Sequence, residues 1–138
     1  MPGVELHDQK ITRLYALGVG EKFPAMAALA EWQASSSVDY GSIMTALRVI
    51  GGAVRVVTKH VVRGDGYPEI YEAKACRHNA RLMFFYDGRQ AIFTNHYWKG
   101  TGGRKLQNLA FKNSETMRLQ YFANKASQKQ MKKHETSC

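Results

Sequence analysis

Cationic, phenolic and carboxylate side chains recur in three strand-like segments in the middle of the chain. The set comprises Glu72, Lys74, Arg81, Asn95, Tyr97 and Lys99. Cleaving RNA without a metal ion requires a group that accepts the 2′-OH proton, cations that stabilise a phosphorane-like transition state, and a proton donor for the leaving 5′ oxygen. Lys, Arg, His and Tyr side chains can supply these functions, and Glu72 is the nearest candidate for a carboxylate base.

Side-chain parity along each strand supports this grouping, because alternate residues point to opposite faces of a sheet. Arg81 is in step with two apolar residues of its own strand, and Asn95 is in step with Tyr97 and Lys99. The register between the strands is not defined by the sequence, and an ordinary solvated strand surface remains an equal alternative. His96 falls on the opposite face of a regular strand, where a core histidine is the alternative to a catalytic one; a β-bulge would reverse its side.

The last third of the chain carries most of the positive charge. The whole chain has 20 Lys and Arg against 11 Asp and Glu, a formal net charge of +9. Such an excess attracts polyanions through phosphate contacts and counterion release, so nucleic acid is the favoured partner. A basic surface that serves solubility alone is the alternative. The candidates for phosphate contacts are Lys99, Arg104, Lys105 and Arg118.

Aromatic and glycine-rich residues flank these cations. Tyr97, and less strongly Trp98, could provide a platform on which an unpaired base stacks, although an aromatic residue at a strand end is more often part of the core. The stretch KGTGGRK at residues 99–105 lacks the GxxxxGK[ST] pattern of a nucleoside triphosphate site. A flexible basic loop is therefore expected there.

The sequence indicates no metal, cofactor or membrane. The cysteines are Cys76 and Cys138, and the five histidines show no pair at metal-ligand spacing with a carboxylate. The first twenty residues lack the apolar segment of a signal peptide, and no window approaches the roughly 18 unbroken apolar residues of a membrane span. We therefore expect a soluble, cytoplasmic protein.

Helical periodicity appears twice before the strand-like region and once after it. A first helix is predicted by the spacing of Phe23, Met26, Leu29 and Trp32. A second helix is predicted by the spacing of Ile43, Leu47, Ile50 and Val54, and Ser37 or Asp39 would cap it. After residue 113 the sequence predicts a third helix, with Ser114 as its N-cap. One domain over residues 1–128 is expected, followed by a basic, frayed tail at 129–138.

Strand patterns are strongest in the middle of the chain. Residues 69–76, 80–87 and 91–98 are separated by three-residue connections, which suit antiparallel hairpins. A further short strand is expected within residues 9–17, and the β-branched run 54–62 leads into the region. The predicted fold is α+β: an antiparallel sheet of three to four strands packed with two N-terminal helices and a C-terminal helix.

Three motifs occur in a fixed order through this region: GYPEIYEAK at residues 66–74, RLMFFY at 81–86 and NHYWKGT at 95–101. In this order and spacing they resemble the RelE/HigB superfamily of toxin ribonucleases, most closely its phage-derived HigB-like branch. The resemblance implies a RelE-like, microbial-RNase-like arrangement. It also implies cleavage of mRNA on the translating ribosome and inhibition by a small antitoxin, often one with a helix-turn-helix domain.

The same resemblance assigns function to the motif positions Lys74, Arg81, Asn95, Tyr97 and Lys99. Two of these motifs depart from the family pattern, because Lys74 occupies a position that is commonly arginine and Gly100 replaces a second lysine. Lys and Arg are not interchangeable where a phosphate is gripped in a bidentate manner. The stretch GGRKLQNLAF before the last helix is also changed.

The leading hypothesis is a metal-independent mRNA endoribonuclease of the toxin type. Its proposed catalytic residues are Lys74, Arg81, Tyr97, Glu72 and His96, and its proposed RNA-binding residues are Asn95, Lys99, Arg104, Lys105 and Arg118. One alternative is a non-catalytic nucleic-acid-binding module, such as a phage accessory protein. Another is a protein-interaction domain that uses its basic face to bind an acidic partner.

Overall fold

A computed structural model describes residues 3–7, 11–55, 59–75 and 77–136, with the side chains of 4–7 and 129–136 excepted. Its elements are β1 (Gly3–His7), β2 (Arg13–Leu17), α1 (Pro24–Ser35), α2 (Ser37–Gly51), β3 (Val61–Gly64), β4 (Tyr67–Lys74), β5 (Ala80–Asp87), β6 (Gln90–Trp98) and α3 (Gly103–Thr136). Cys76, Cys138 and part of the β-branched run 54–62 lie outside the described residues. The α+β class is confirmed.

The sheet is larger than the sequence predicted. Its described strands lie in the order β1-β2-β6-β5-β4-β3, so the prediction of three to four strands is wrong. The sheet is mixed, because β2 pairs with β6 in parallel while the other neighbours are antiparallel. The parallel pair joins segments more than seventy residues apart, such as Leu14 and Ala91. Local patterns carry no information about such a pairing.

Helices cover both faces of this sheet. On one face, α1 and α2 enclose a core that includes Trp32, Phe84 and Phe93. On the other face, α3 covers a second core that includes Met83 and Phe85. Residues on both sides of β5 are therefore buried, which explains why this strand reads as an almost continuous apolar run.

The helical stripes were predicted with different success. In α2 the predicted Ile43, Leu47 and Ile50 are buried, as expected. The predicted Val54 is wrong, because it lies beyond the end of the helix and is 56% exposed.

In α1 the prediction is wrong at Met26, which is 40% exposed, whereas Trp32 is buried as predicted and Phe23 and Leu29 pack against the core. Ala25 and Ala28 are buried positions that the prediction missed. The small alanine side chains allow α1 to approach the sheet closely.

The third helix begins well before the predicted position. It starts at Gly103 rather than after Ser114, and it is 34 residues long, which corresponds to about 50 Å. Ser114 is fully buried inside the helix, so its predicted role as N-cap is wrong. Gly100 and Gly103 have φ angles of +43° and +47°, a backbone conformation that glycine adopts without steric cost. They turn the chain into α3, whose backbone also includes residues 129–136; fraying of that segment remains a prediction.

Close packing of α3 against the β3–β4 turn depends on a glycine. A Cβ atom at Gly64 would lie 2.7 Å from the ring of Phe111 in α3 and 2.9 Å from the carbonyl oxygen of Tyr67. In the part of the chain that the structure describes, no helix is long and apolar enough to cross a membrane.

Candidate active site

Strand register brings the predicted chemical residues together. Lys74 of β4 is paired with Arg81 of β5, and Arg81 is paired with Tyr97 of β6. Glu72 lies two residues before Lys74 and therefore points to the same face. Four of the five predicted catalytic residues thus share one face of three adjacent strands, the face covered by α3.

A β-bulge in β6 sets which residues reach this face. Thr94 and Asn95 together stand opposite a single residue of β5, Met83. Both consequently face α3, where the Thr94 hydroxyl lies 2.7 Å from the Ser114 hydroxyl and Asn95 Nδ2 donates to the Ala110 carbonyl at 3.1 Å. Asn95, predicted to bind RNA, instead anchors α3 to the sheet.

His96 points away from the cluster in spite of the bulge. Its ring packs edge-on against Trp32 of α1, with the centroids 5.8 Å apart and the ring planes perpendicular. Burial lowers the pKa of His96, although the nearby Glu31 carboxylate acts in the opposite direction. The sheet separates His96 from the other four predicted catalytic residues.

Glu72 is the centre of the cluster. Its side chain is buried, and its Oε1 accepts hydrogen bonds from the Tyr97 hydroxyl and from Gln107 Nε2, the latter at 3.4 Å. The other oxygen, Oε2, lies 3.8 Å from Arg81 Nε. A buried carboxylate needs such partners, because desolvation of an unpaired charge costs several kcal/mol.

Arg81 is held as firmly as Glu72. It is 6% exposed, and its Nη1 donates to the carbonyls of His78 at 2.8 Å, Ala80 at 3.0 Å and Ala75 at 3.4 Å. The solvated-surface alternative is therefore wrong for Arg81 and Glu72. Lys74 is only half-buried, so it is the cation of the group that solvent can reach.

The Tyr97 hydroxyl is half-buried and strongly perturbed. Burial raises the pKa of Tyr97, and the hydrogen bond to Glu72 and the charge of that carboxylate raise it further, against the opposing effect of Arg81. Tyr97 consequently keeps its proton at neutral pH and donates it to Glu72.

Gln107 is a member of the cluster that sequence reasoning missed. The sequence predicted the last helix only after residue 113, which left Gln107 outside any predicted element, whereas α3 begins at Gly103. A usable signal was present, since the residues after Arg104 are mostly good helix formers. The first turns of α3 lie over Glu72 as a result.

The remaining predicted RNA-binding residues divide into two groups. Lys99, Arg104 and Lys105 are exposed around the start of α3. Arg118 is engaged within α3, where it forms a salt bridge with Glu115 and lies over the ring of Phe122. Three of the four predicted phosphate contacts are therefore available to an external anion.

Over the described ranges, no three His, Cys, Asp or Glu side chains are grouped closely enough to hold a metal ion. Comparisons with protein-family models, curated proteins and solved structures returned no match. The geometry of the cluster and the order of the motifs are what a functional proposal can draw on.

Proposed function

We propose that the protein is a metal-independent endoribonuclease that cleaves mRNA on the translating ribosome and is neutralised by a small antitoxin. The observation that carries this proposal is the linked group of Glu72, Tyr97 and Arg81, with Lys74 beside Arg81 in the strand register. It unites a carboxylate, a phenol and two cations on one face. The motif order and the succession of two helices, a meander and a final helix support the resemblance from which the ribosome and the antitoxin are inferred.

The arrangement divides the work of transesterification between accessible and buried groups. The 2′-OH of the substrate gives its proton to the Tyr97 hydroxyl as Tyr97 passes its own to Glu72, so the carboxylate acts as base through a relay. The 2′ oxygen forms a bond to phosphorus, and the bond from phosphorus to the 5′ oxygen breaks. Lys74 donates a proton to the leaving oxygen, and the charge of Arg81 stabilises the transition state. The products are a 2′,3′-cyclic phosphate and a 5′-hydroxyl end.

Tyr97→Phe is the most informative variant for this proposal. It removes the hydroxyl and keeps the ring, whereas Arg81→Ala would leave three carbonyls without this donor and the buried Glu72 carboxylate without its neighbouring cation. We expect the cleavage rate of Tyr97→Phe to fall about 100-fold or more. The measurement is primer extension on mRNA incubated with the protein and translating ribosomes; metal independence is measured separately on ribosome-free RNA with a chelator.

Tyr121→Phe is the matched control. The Tyr121 hydroxyl also donates to a carboxylate, that of Asp87, at 2.7 Å. Tyr121 lies further along α3, away from the Glu72 cluster. Its removal should leave the cleavage rate unchanged. Intact mRNA with the wild-type protein, with or without ribosomes, would contradict the proposal, as would equal rates for Tyr97→Phe and the wild type.

A second candidate function is RNA binding without cleavage. It is favoured by the engagement of Arg81 Nη1 with three carbonyls and by the 2% exposure of Glu72, since both suit a structural network. This candidate predicts salt-dependent retention of RNA on a filter with no new 5′ ends.

A further inference from the structure

A separate cleft lies on the opposite face of β6, where the end of this strand meets the last turn of α1. It has a volume of about 470 Å³ and is lined by residues that include Glu31, Trp32, His96 and Trp98. Sites for small organic ligands have volumes of roughly 300–1,000 Å³. The cleft is therefore large enough for an aromatic ring system such as a nucleobase.

The walls of this cleft are aromatic and differ in how deeply they are buried. Trp32 is buried and braces the His96 ring in an edge-on contact. Trp98, two residues further along the same face, is 43% exposed and offers its indole to solvent. Because burial lowers the pKa of His96, this ring is uncharged at neutral pH. An exposed indole beside the His96 ring is a stacking platform that every base can use.

Glu31 adds selectivity to this platform. Its side chain is exposed at the last turn of α1, and within the described residues its carboxylate takes part in no hydrogen bond or ion pair. A carboxylate is purely an acceptor with two oxygens. Of the four RNA bases, guanine alone presents two adjacent donors, the N1–H and the 2-amino group, on its Watson–Crick edge. Adenine and cytosine place a ring-nitrogen acceptor beside their amino group, and uracil flanks one N–H with two carbonyls.

We propose that this cleft binds guanine, with the base stacked on Trp98 and its Watson–Crick edge paired to the Glu31 carboxylate. The base could belong to a single-stranded RNA or to a free nucleotide. RNA as the source rests on the proposed function, and Lys99, which directly follows Trp98, then offers a cation to the adjacent phosphate. The cleft would select the sequence context of an RNA that is gripped on the other face.

The protein carries its own reporter for this site. It contains two tryptophans, and both line the cleft, so ligand binding should quench the intrinsic fluorescence. We expect titration with guanosine monophosphate to give a dissociation constant about tenfold lower than inosine monophosphate, which lacks the 2-amino group and so half of the bidentate pairing. Adenosine, cytidine and uridine monophosphates should bind more weakly than the guanine nucleotide.

Two variants and a control test the proposed contacts. Glu31→Gln should lower the affinity for guanosine monophosphate about tenfold, because the amide replaces one acceptor with a donor. Guanosine monophosphate should then bind no more tightly than inosine monophosphate. Trp98→Ala should lower the affinity for all the nucleotides by a similar factor. Glu21→Gln, an exposed carboxylate before the other end of α1, should change nothing. Equal affinity for the four nucleotides, or no quenching at millimolar concentration, would overturn the proposal.

Oligonucleotides distinguish the source of the base and separate this inference from the proposed function. An oligouridine with one central guanine should bind more tightly than free guanosine monophosphate and than the same strand with inosine; tighter binding of the free nucleotide would refute RNA as the source. Guanine-selective binding without cleavage would sustain the cleft and refute the nuclease. Cleavage of mRNA without guanine-selective binding of the oligonucleotides or nucleotides would refute the proposed guanine site. It would not contradict the proposed nuclease activity.

Discussion

The Glu72 carboxylate shows how much a single residue depends on several elements. Its partners come from β5, β6 and α3: Arg81 as an ion pair, and Tyr97 and Gln107 as hydrogen-bond donors. Each partner is positioned by strand register or helix packing, and none is near Glu72 in the sequence. A change in any of these elements would leave a buried charge without part of its solvation, so the cluster is expected to respond as a unit.

Tyr97 should give the cluster a measurable pH dependence. Because the folded state raises the pKa of Tyr97 above its ordinary value of about 10, the unfolded chain loses this proton first. The contribution to stability is fully present below about pH 10 and is lost as the pH rises toward the folded pKa. Tyr97→Phe should therefore show a shallower decline of the unfolding free energy above pH 10, measured by urea titration. An unchanged slope would contradict this prediction.

Asp39 is a second buried carboxylate with a structural role. Burial alone raises its pKa, but hydrogen bonds from the Ala80 and Asn79 amides and the Ser36 hydroxyl outweigh it and leave the pKa of Asp39 below its usual range. The hydrogen bonds from these two amides to Asp39 are both 2.8 Å long and connect α2 to the start of β5. The contribution of Asp39 is therefore present above about pH 4 and lost as the pH falls below that value.

Asp39→Ala should lower the unfolding free energy by about 3 kcal/mol at neutral pH, because it leaves two backbone amides without an acceptor. Asp39→Asn keeps one side-chain oxygen, so its unfolding free energy should fall by less than that of the alanine variant. Its unfolding free energy should also depend less on acid pH than that of the wild type. Urea unfolding at neutral and acid pH measures both effects. A neutral-pH loss below about 0.5 kcal/mol for the alanine variant would refute this account.

At the scale of elements, α3 is attached to the sheet by three kinds of contact. The bulge residues Thr94 and Asn95 hold its middle by hydrogen bonds. Phe111 packs against the β3–β4 turn beside Gly64. Further along, Lys125 Nζ lies 2.7 Å from Asp87 Oδ2, the same carboxylate oxygen that accepts from Tyr121. These contacts fix the helix over the Glu72 cluster.

Two glycine-to-alanine substitutions should change stability in opposite directions. Gly64→Ala places a methyl group against the Phe111 ring and should lower the unfolding free energy by about 1–3 kcal/mol. Gly41→Ala lies inside α2 with nothing within 4 Å of the new methyl, so it should raise the unfolding free energy by roughly 0.5–1 kcal/mol. Thermal unfolding of both variants measures the difference; a loss of stability in Gly41→Ala or a gain in Gly64→Ala would contradict it.

At the scale of the molecule, three exposed cations lie where β6 leads into α3. They are Lys99, which directly follows Trp98 of the cleft, and Arg104 and Lys105, which precede Gln107 of the Glu72 cluster in α3. An RNA strand that met these cations would be placed at the end of the sheet.

The salt dependence of RNA binding should report on these three cations. For single strands the slope of log affinity against log salt is about −0.7 for each neutralised phosphate. Changing all three cations to Gln should make the slope shallower by about 2. Arg89→Gln, in the turn at the opposite end of β6, should leave the slope unchanged, because it lies roughly 30 Å away along the strand. Equal slopes for the triple variant and the wild type would refute this binding surface.

Much of the local structure could be predicted from short-range patterns. β5 spans Ala80–Asp87 as predicted, and the apolar stripe of α2 is correct at Ile43, Leu47 and Ile50. These elements are specified by periodicity and turn residues, which depend on neighbours in the sequence. The predicted start of α3 was wrong because the glycines around it were interpreted as loop residues. Two of them, Gly100 and Gly103, form the turn that begins the helix.

The sequence by itself determined the residue types of the cluster, the parity of each strand and the basic surface near α3. Only the tertiary structure decided that Lys74, Arg81 and Tyr97 are in register, because register depends on contacts between strands. It also decided that α3 buries Glu72 and that His96 joins Trp32 on the other face. Burial and facing follow from which layers pack together, and that choice is made by long-range contacts rather than by local sequence.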